Sequence, residues 1–331
     1  MEAPVEEIHR ESVIIDAHCD TVHKFLLSKN QYDFNIRNDT GHVDLPRLKE
    51  SGIKVQVFAL YIEPQYNPER SLKRCLELYD ILIKTFNNSN NKIVIVTSAA
   101  EMEEALKQNK LAAFLSIEGG EALEGSLSVL RVLYRLGVRF LTLTWNHRNQ
   151  IADGTGEGIT GGGLTRFGRK VIKEMNHLGM VIDVSHLSER GFWDVLDLSE
   201  KPVIASHSNA RSLCSHSRNL SDRQIKALAE KSGIIGINYC PPFVGEEADL
   251  SYLVNHIDHI VGLVGINHIG LGSDFDGIDT TITGLEDVSK LPNLTYELFK
   301  KGYTKAEIKK ILGENFFNFF YKILTCNGGT I

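Results

Sequence analysis

A chain of 331 residues, 42% hydrophobic and 24% charged, carries enough apolar material to bury a full core and shows no biased tract that would keep it unfolded. Its formal net charge of −6 provides no basic footprint, which argues against nucleic acid and anionic membrane surfaces as partners and favours small polar molecules. The five cysteines (Cys19, Cys75, Cys214, Cys240 and Cys326) are odd in number, widely spaced and without a CxxC pair, so a disulfide framework is not indicated and a reducing compartment fits.

Taken in chain order, short apolar runs predict strands over residues 13–15, 55–60, 112–117, 140–144, 180–184, 203–206, 234–238 and 269–272. Most are continuous rather than alternating, as expected for strands covered on both faces, and this predicts parallel pairing. Between them, helical spacing predicts helices over 71–86, 125–136, 164–178, 188–198, 221–231 and 251–263, several opening on a serine cap. Eight strand-then-helix units favour a closed (β/α)8 TIM barrel spanning 1–331 as a single domain, with an open doubly wound sheet as the competing arrangement. The long interval at about 63–111, with its additional apolar run at 92–97, reads as an excursion of one barrel unit. Residues 154–163 read as a glycine-rich mobile loop, and a final helix over 305–324 is expected to close the outer ring.

Histidines and acids collect where these strands end, the face on which barrel enzymes build their sites. His18 and Asp20 follow the first run and are two apart, a spacing that turns both side chains to one side of an extended segment. Glu118 ends the third run ahead of Gly119 and Gly120, and a carboxylate there can bridge two cations about 3.5–4 Å apart. His186 and His207 close two consecutive runs, and neutral imidazole is a common zinc ligand. Asp274, among small residues after the last run, is suited to shuttling a proton, whereas Asp276 before Gly277 reads as a turn residue. Asp183, inside the fifth run, reads as a residue that orients a ligand or as a buried polar residue rather than as a ligand. Neither glycine cluster has the spacing and lysine of a phosphate loop, and no serine sits in a nucleophile elbow.

The segments Ile15-Asp16-Ala17-His18-Cys19-Asp20-Thr21, Ser116-Ile117-Glu118-Gly119-Gly120, Val181-Ile182-Asp183-Val184-Ser185-His186, Ala205-Ser206-His207-Ser208, Ser217-Arg218-Asn219-Leu220, Gly272-Ser273-Asp274-Phe275-Asp276-Gly277 and Leu285-Glu286-Asp287-Val288-Ser289-Lys290 occur in this order. Their content and order resemble the membrane dipeptidase (renal dipeptidase) family of zinc metallopeptidases, among the amidohydrolase-like barrels. That resemblance implies hydrolysis of dipeptides at two zinc ions, His18 and Asp20 on one, His186 and His207 on the other, with Glu118 and a hydroxide bridging both. It further implies that Asp274 relays the proton and that Arg218 pairs with the free carboxylate of the substrate, for which a guanidinium fork is well shaped. Family members also form homodimers. The sequence departs from the family where Leu143-Thr144 is followed by Trp145 instead of a substrate-binding histidine. Either His147 takes over that contact with the scissile carbonyl or the contact is absent.

The acidic start MEAPVEEIHRES lacks the basic and apolar stretches of an export signal, no apolar run approaches the roughly 18 residues of a membrane span, and the tail is short for an anchor signal, so a cytoplasmic protein without a membrane anchor is expected. Two other readings stay open at this point. One is a barrel enzyme using the same metals on another small amide, lactone or ester; the other is a metal-binding barrel without catalysis.

Overall fold

The computed structural model describes residues 3–324; Cys326 and the tail lie outside the described residues. Nine parallel strands form one sheet: β1 (Ile14–Cys19), β2 (Ile53–Tyr61), β3 (Ile93–Ile95), β4 (Leu111–Glu118), β5 (Val138–Thr142), β6 (Val181–Asp183), β7 (Ile204–Ala205), β8 (Ile234–Ile237) and β9 (Ile269–Leu271). Because β2 pairs with both β1 and β4, eight of them close into a barrel, so the closed arrangement holds and the open sheet does not. β3 is the additional run within 63–111. It pairs with Leu111, Ala112 and Ala113 at the base of β4, while β5 joins β4 from Leu115 upward.

Several strands are shorter than their apolar runs, and two acids account for three of them, β6, β7 and β9. The Asp183 carboxylate accepts from the Ser185 and Ser206 amides at 3.0 and 2.9 Å, so β6 and β7 leave the ladder just where the chain turns toward the barrel mouth. Asp16 does the same between β1 and β9, accepting from the Ser273 amide at 2.9 Å and its hydroxyl at 2.6 Å. Each carboxylate thus replaces ladder partners at a strand end and fixes the loop that follows, because buried amides must be paired.

The barrel interior is an apolar layer that includes Ile15, Ala17, Val55, Val57, Ala112, Phe114, Phe140, Val181, Ile204 and Ile234. Its lower end is filled by the last helix, which corrects the expectation that 305–324 forms one helix in the outer ring. The segment breaks into Lys305–Lys309, a π turn at Lys310–Glu314 and Asn315–Leu324. Gly313 is the reason: a Cβ there would lie 1.9 Å from the Val13 carbonyl oxygen, so only glycine lets the chain pass beneath β1. The following helix then drives Phe316, Phe319, Phe320 and Ile323 into the interior layer, and Phe316 occupies the space that Gly270 leaves on β9. With its base plugged, the barrel can open only at the other end, where the strand-end acids and histidines converge.

Outside the barrel, helices such as Arg166–Leu178, Glu189–Leu198 and Asp222–Glu230 start on Thr165, Ser188 and Ser221, whose side chains accept the orphan amides of the first turn. No helix among the described residues is long and apolar enough to cross a membrane.

Candidate metal centre

Six side chains from five barrel strands or the loops that follow them meet at the mouth. Glu118, the last residue of β4, is the hub. Its Oε1 lies 2.9 Å from His186 Nε2 and 3.6 Å from His207 Nε2, and its Oε2 lies 3.6 Å from His18 Nε2. His18 Nε2 is also 3.2 Å from Asp20 Oδ2 and 3.9 Å from Asp274 Oδ1. His18, Asp20, Glu118, His186, His207 and Asp274 are all buried. Two overlapping sets, His18, Glu118 and His207, and His18, Asp20 and Asp274, each present ligand atoms within 4.8 Å of one another.

The backbone is bent to achieve this. His186 and Asp274 hold left-handed conformations, φ 64° and 63°, which side chains other than glycine adopt rarely and which collect at functional sites. Gly277 leaves the space in which the acids sit, since a Cβ there would lie 2.1 Å from Asp20 Oδ2 and 2.9 Å from Asp274 Oδ1. A G277A variant is therefore expected to displace both carboxylates and lower kcat/KM by about 100-fold, the scale of an ångström-level misplacement. Metal analysis of the same protein should show reduced content, and wild-type values of both quantities would contradict this packing.

Further polar groups lie behind the imidazoles. His207 Nδ1 lies 2.7 Å from Ser206 Oγ, which itself donates to Asp183 Oδ2 at 2.6 Å, so Asp183 orients His207 through a serine. His186 Nδ1 lies 2.8 Å from Asn146 Oδ1. Asn238 donates to Asp274 Oδ2 at 2.9 Å. Sequence reasoning did not single out Ser206, Asn146 or Asn238. For Asn238 the available signal was its position at the end of the 234–238 run, where the other strands carry their acids and histidines.

Do these groups suit cations? Three buried carboxylates, Asp20, Glu118 and Asp274, require compensating positive charge. The nearby guanidinium of Arg218 forms no ion pair within 4 Å among the described residues. Burial pushes Asp20 and Asp274 above the usual carboxylate range, reinforced by the Glu118 charge. Burial opposes charge on His18 as well, but Glu118 and Asp20 outweigh it and raise this imidazole well above its ordinary value. His186 is lowered to about 4 by burial and by the Arg218 charge, and is therefore neutral, the form that binds metal. The Nε2 atoms of His186 and His207 stand 2.9 Å apart and Asp20 Oδ1 has no partner. Lone pairs crowded together and a buried oxygen left unpaired are what a shared cation would satisfy, so the residues fit a metal centre.

Arg218 is not a surface charge. It is 4% exposed, donates from Nη2 to the His207 carbonyl at 3.2 Å, lies over the Phe243 ring, and its Nε has no partner. Trp145 is half-buried, with its ring 6.0 Å from that of His186 and 5.3 Å from that of Tyr61. His147 is exposed, its ring tilted against that of Trp145 with centroids 5.4 Å apart; it has no hydrogen bond or ion pair to the cluster among the described residues.

Comparison with known proteins identifies what the chain is similar to. A family model described as membrane dipeptidase (peptidase family M19) matches residues 2–327. An uncharacterized dipeptidase of Schizosaccharomyces pombe is 36% identical over 334 residues, covering 94% of this chain and 80% of that protein. Among solved structures, the metallopeptidase called dipeptidase AC, of family M19, has a TM-score of 0.88 at 30% identity, covering 94% of this chain and 98% of its own. A metallopeptidase of Rhodobacter sphaeroides, bound to a phosphinate mimic of the dipeptide L-Ala-D-Ala, has a TM-score of 0.88 at 28% identity, covering 95% and 100%.

Proposed function

The chain belongs to the membrane dipeptidase family, peptidase family M19, and is a metallo-dipeptidase; we propose that it holds two zinc ions, with His18 and Asp20 on one, His186 and His207 on the other, and Glu118 shared between them. The observation that carries this division is the split use of Glu118, whose Oε2 faces His18 while Oε1 faces His186 and His207. Zinc ions in such a centre would polarise the scissile carbonyl and supply a nucleophilic water at neutral pH.

The remaining work falls to the protein's own groups. Arg218 binds the free carboxylate of the dipeptide, for which a buried guanidinium with an unused Nε is well prepared. Asp274, held by Asn238 on one oxygen, accepts the proton of the attacking water and returns it to the leaving amine. Trp145 and Tyr61 form an aromatic wall beside His186, against which the substrate side chain packs. Of the two alternatives for the missing substrate histidine, exposure of His147 favours absence of the contact, with Trp145 supplying shape in its place. The cytoplasmic setting is supported by the free thiols of Cys19, Cys75, Cys214 and Cys240. The domain is read as single over 1–331 and as able to dimerise, which light scattering on the purified protein would check.

The test is to compare a dipeptide with its C-terminal amide. Wild-type enzyme is expected to disfavour the amide, and R218A should raise KM for the free dipeptide by at least about 30-fold, since truncating one partner of a buried charge pair costs about 2–5 kcal/mol. Metal content should not change. If R218A hydrolysed the free dipeptide normally, the anchor would be lost and the reading of another small amide, lactone or ester would gain.

A further inference from the structure

Asn146 carries no role in the reaction just described, yet it stands between a metal ligand and a loop. Its Oδ1 lies 2.8 Å from His186 Nδ1 and accepts a second hydrogen bond from the Thr155 hydroxyl at 3.2 Å. Its backbone oxygen accepts from the Gly156 amide at 2.7 Å, and the Thr155 amide donates to the His186 carbonyl at 2.8 Å. Glycines permit this closeness: a Cβ on Gly154 would lie 2.2 Å from the Trp145 carbonyl oxygen, and one on Gly156 would lie 2.6 Å from that of Asn146. The segment expected from its glycines to be a mobile loop is therefore bonded at Thr155 and Gly156 to the residues that hold His186.

We propose that Asn146 is the positioning residue for His186, fixing its tautomer and ring orientation and joining the 154–163 loop to the metal centre. An oxygen at that place obliges Nδ1 to carry the proton, which leaves the Nε2 lone pair directed at Glu118 Oε1 and the cluster. An amide nitrogen there would do the reverse and put a proton on the atom that must bind metal. The Thr155 hydroxyl donating to the same oxygen holds the amide in the productive orientation.

This inference rests on the two-ion centre proposed above, and zinc titration of the metal-depleted protein against a chromophoric chelator separates the two. Failure of the unaltered chain to bind two zinc ions would refute the centre itself. Given two ions, N146A is expected to weaken the one assigned to His186 and His207 by about 10–100-fold, the usual scale for losing an outer-layer partner, and to leave the other unchanged. N146D, which keeps an acceptor oxygen, should restore most of that affinity. Hydrogen exchange of the Thr155 amide in the metal-depleted protein should accelerate in N146A and not in N146D. Wild-type affinity for both ions in N146A, or equal weakening of both together with a lowered melting temperature, would overturn the proposal.

Discussion

E118Q is expected to lower kcat for a dipeptide by at least about 1,000-fold and to reduce tightly held metal from two ions per chain to one. The substitution keeps the shape and removes the charge and one carboxylate oxygen. In the structure both oxygens are committed, Oε2 toward His18 and Oε1 toward His186 and His207, so no single oxygen can serve both sides. A metal ion contributes several kcal/mol of transition-state stabilisation, and at about 1.4 kcal/mol per factor of ten the loss of one ion accounts for the stated drop. Glu118 itself is held well below the usual carboxylate range; burial works against this, but His18 and His186 outweigh it. Its negative charge is therefore a fixed feature of the centre, and glutamine cannot reproduce it. Metal analysis alongside kinetics decides the matter: two ions and normal turnover in E118Q would eliminate the shared-ligand role, while circular dichroism would identify a variant that had failed to fold.

How much of this was legible in the sequence depends on what each feature needs. Continuous apolar runs separated by helical spacing were sufficient for a parallel sheet, because strands covered on both faces leave that signature directly; eight units favoured closure, which the pairing of β2 with β4 then decides. Ligand candidates were also readable, since strand ends in a barrel all point to one rim and His18, Glu118, His186 and His207 each stand at such an end. The groups behind them were hidden because their partners are distant in sequence. Asn146 meets His186 across 40 residues, and Asn238 meets Asp274 across 36. The plug at the barrel base was hidden for another reason: a helix with aromatic residues on one face looks the same whether it lies in an outer ring or beneath a barrel. The close approach of Gly313 to Val13 and the seating of Phe316 against Gly270 determine which.

D274N carries the second large expectation, a fall in kcat of about 100–10,000-fold with KM for the dipeptide and metal content both retained. Asparagine is a demanding control. It tolerates the left-handed φ of 63° nearly as well as aspartate, and its carboxamide oxygen can still accept from Asn238, so fold and loop geometry should persist. What it lacks is the ability to take a proton from water and hand it to the leaving amine. A loss confined to kcat locates the defect in a step after substrate binding, the result expected if Arg218 anchors the carboxylate and Asp274 is not a metal ligand. If metal content fell together with kcat, Asp274 would instead be a ligand, in keeping with its place beside His18 and Asp20 at the rim. N238A sharpens the distinction: freeing one oxygen of Asp274 should cost activity by a smaller factor than D274N, and in the double variant the two losses should not multiply, except for the part that N238A causes through its other partners, the Cys240 amide and the His207 carbonyl.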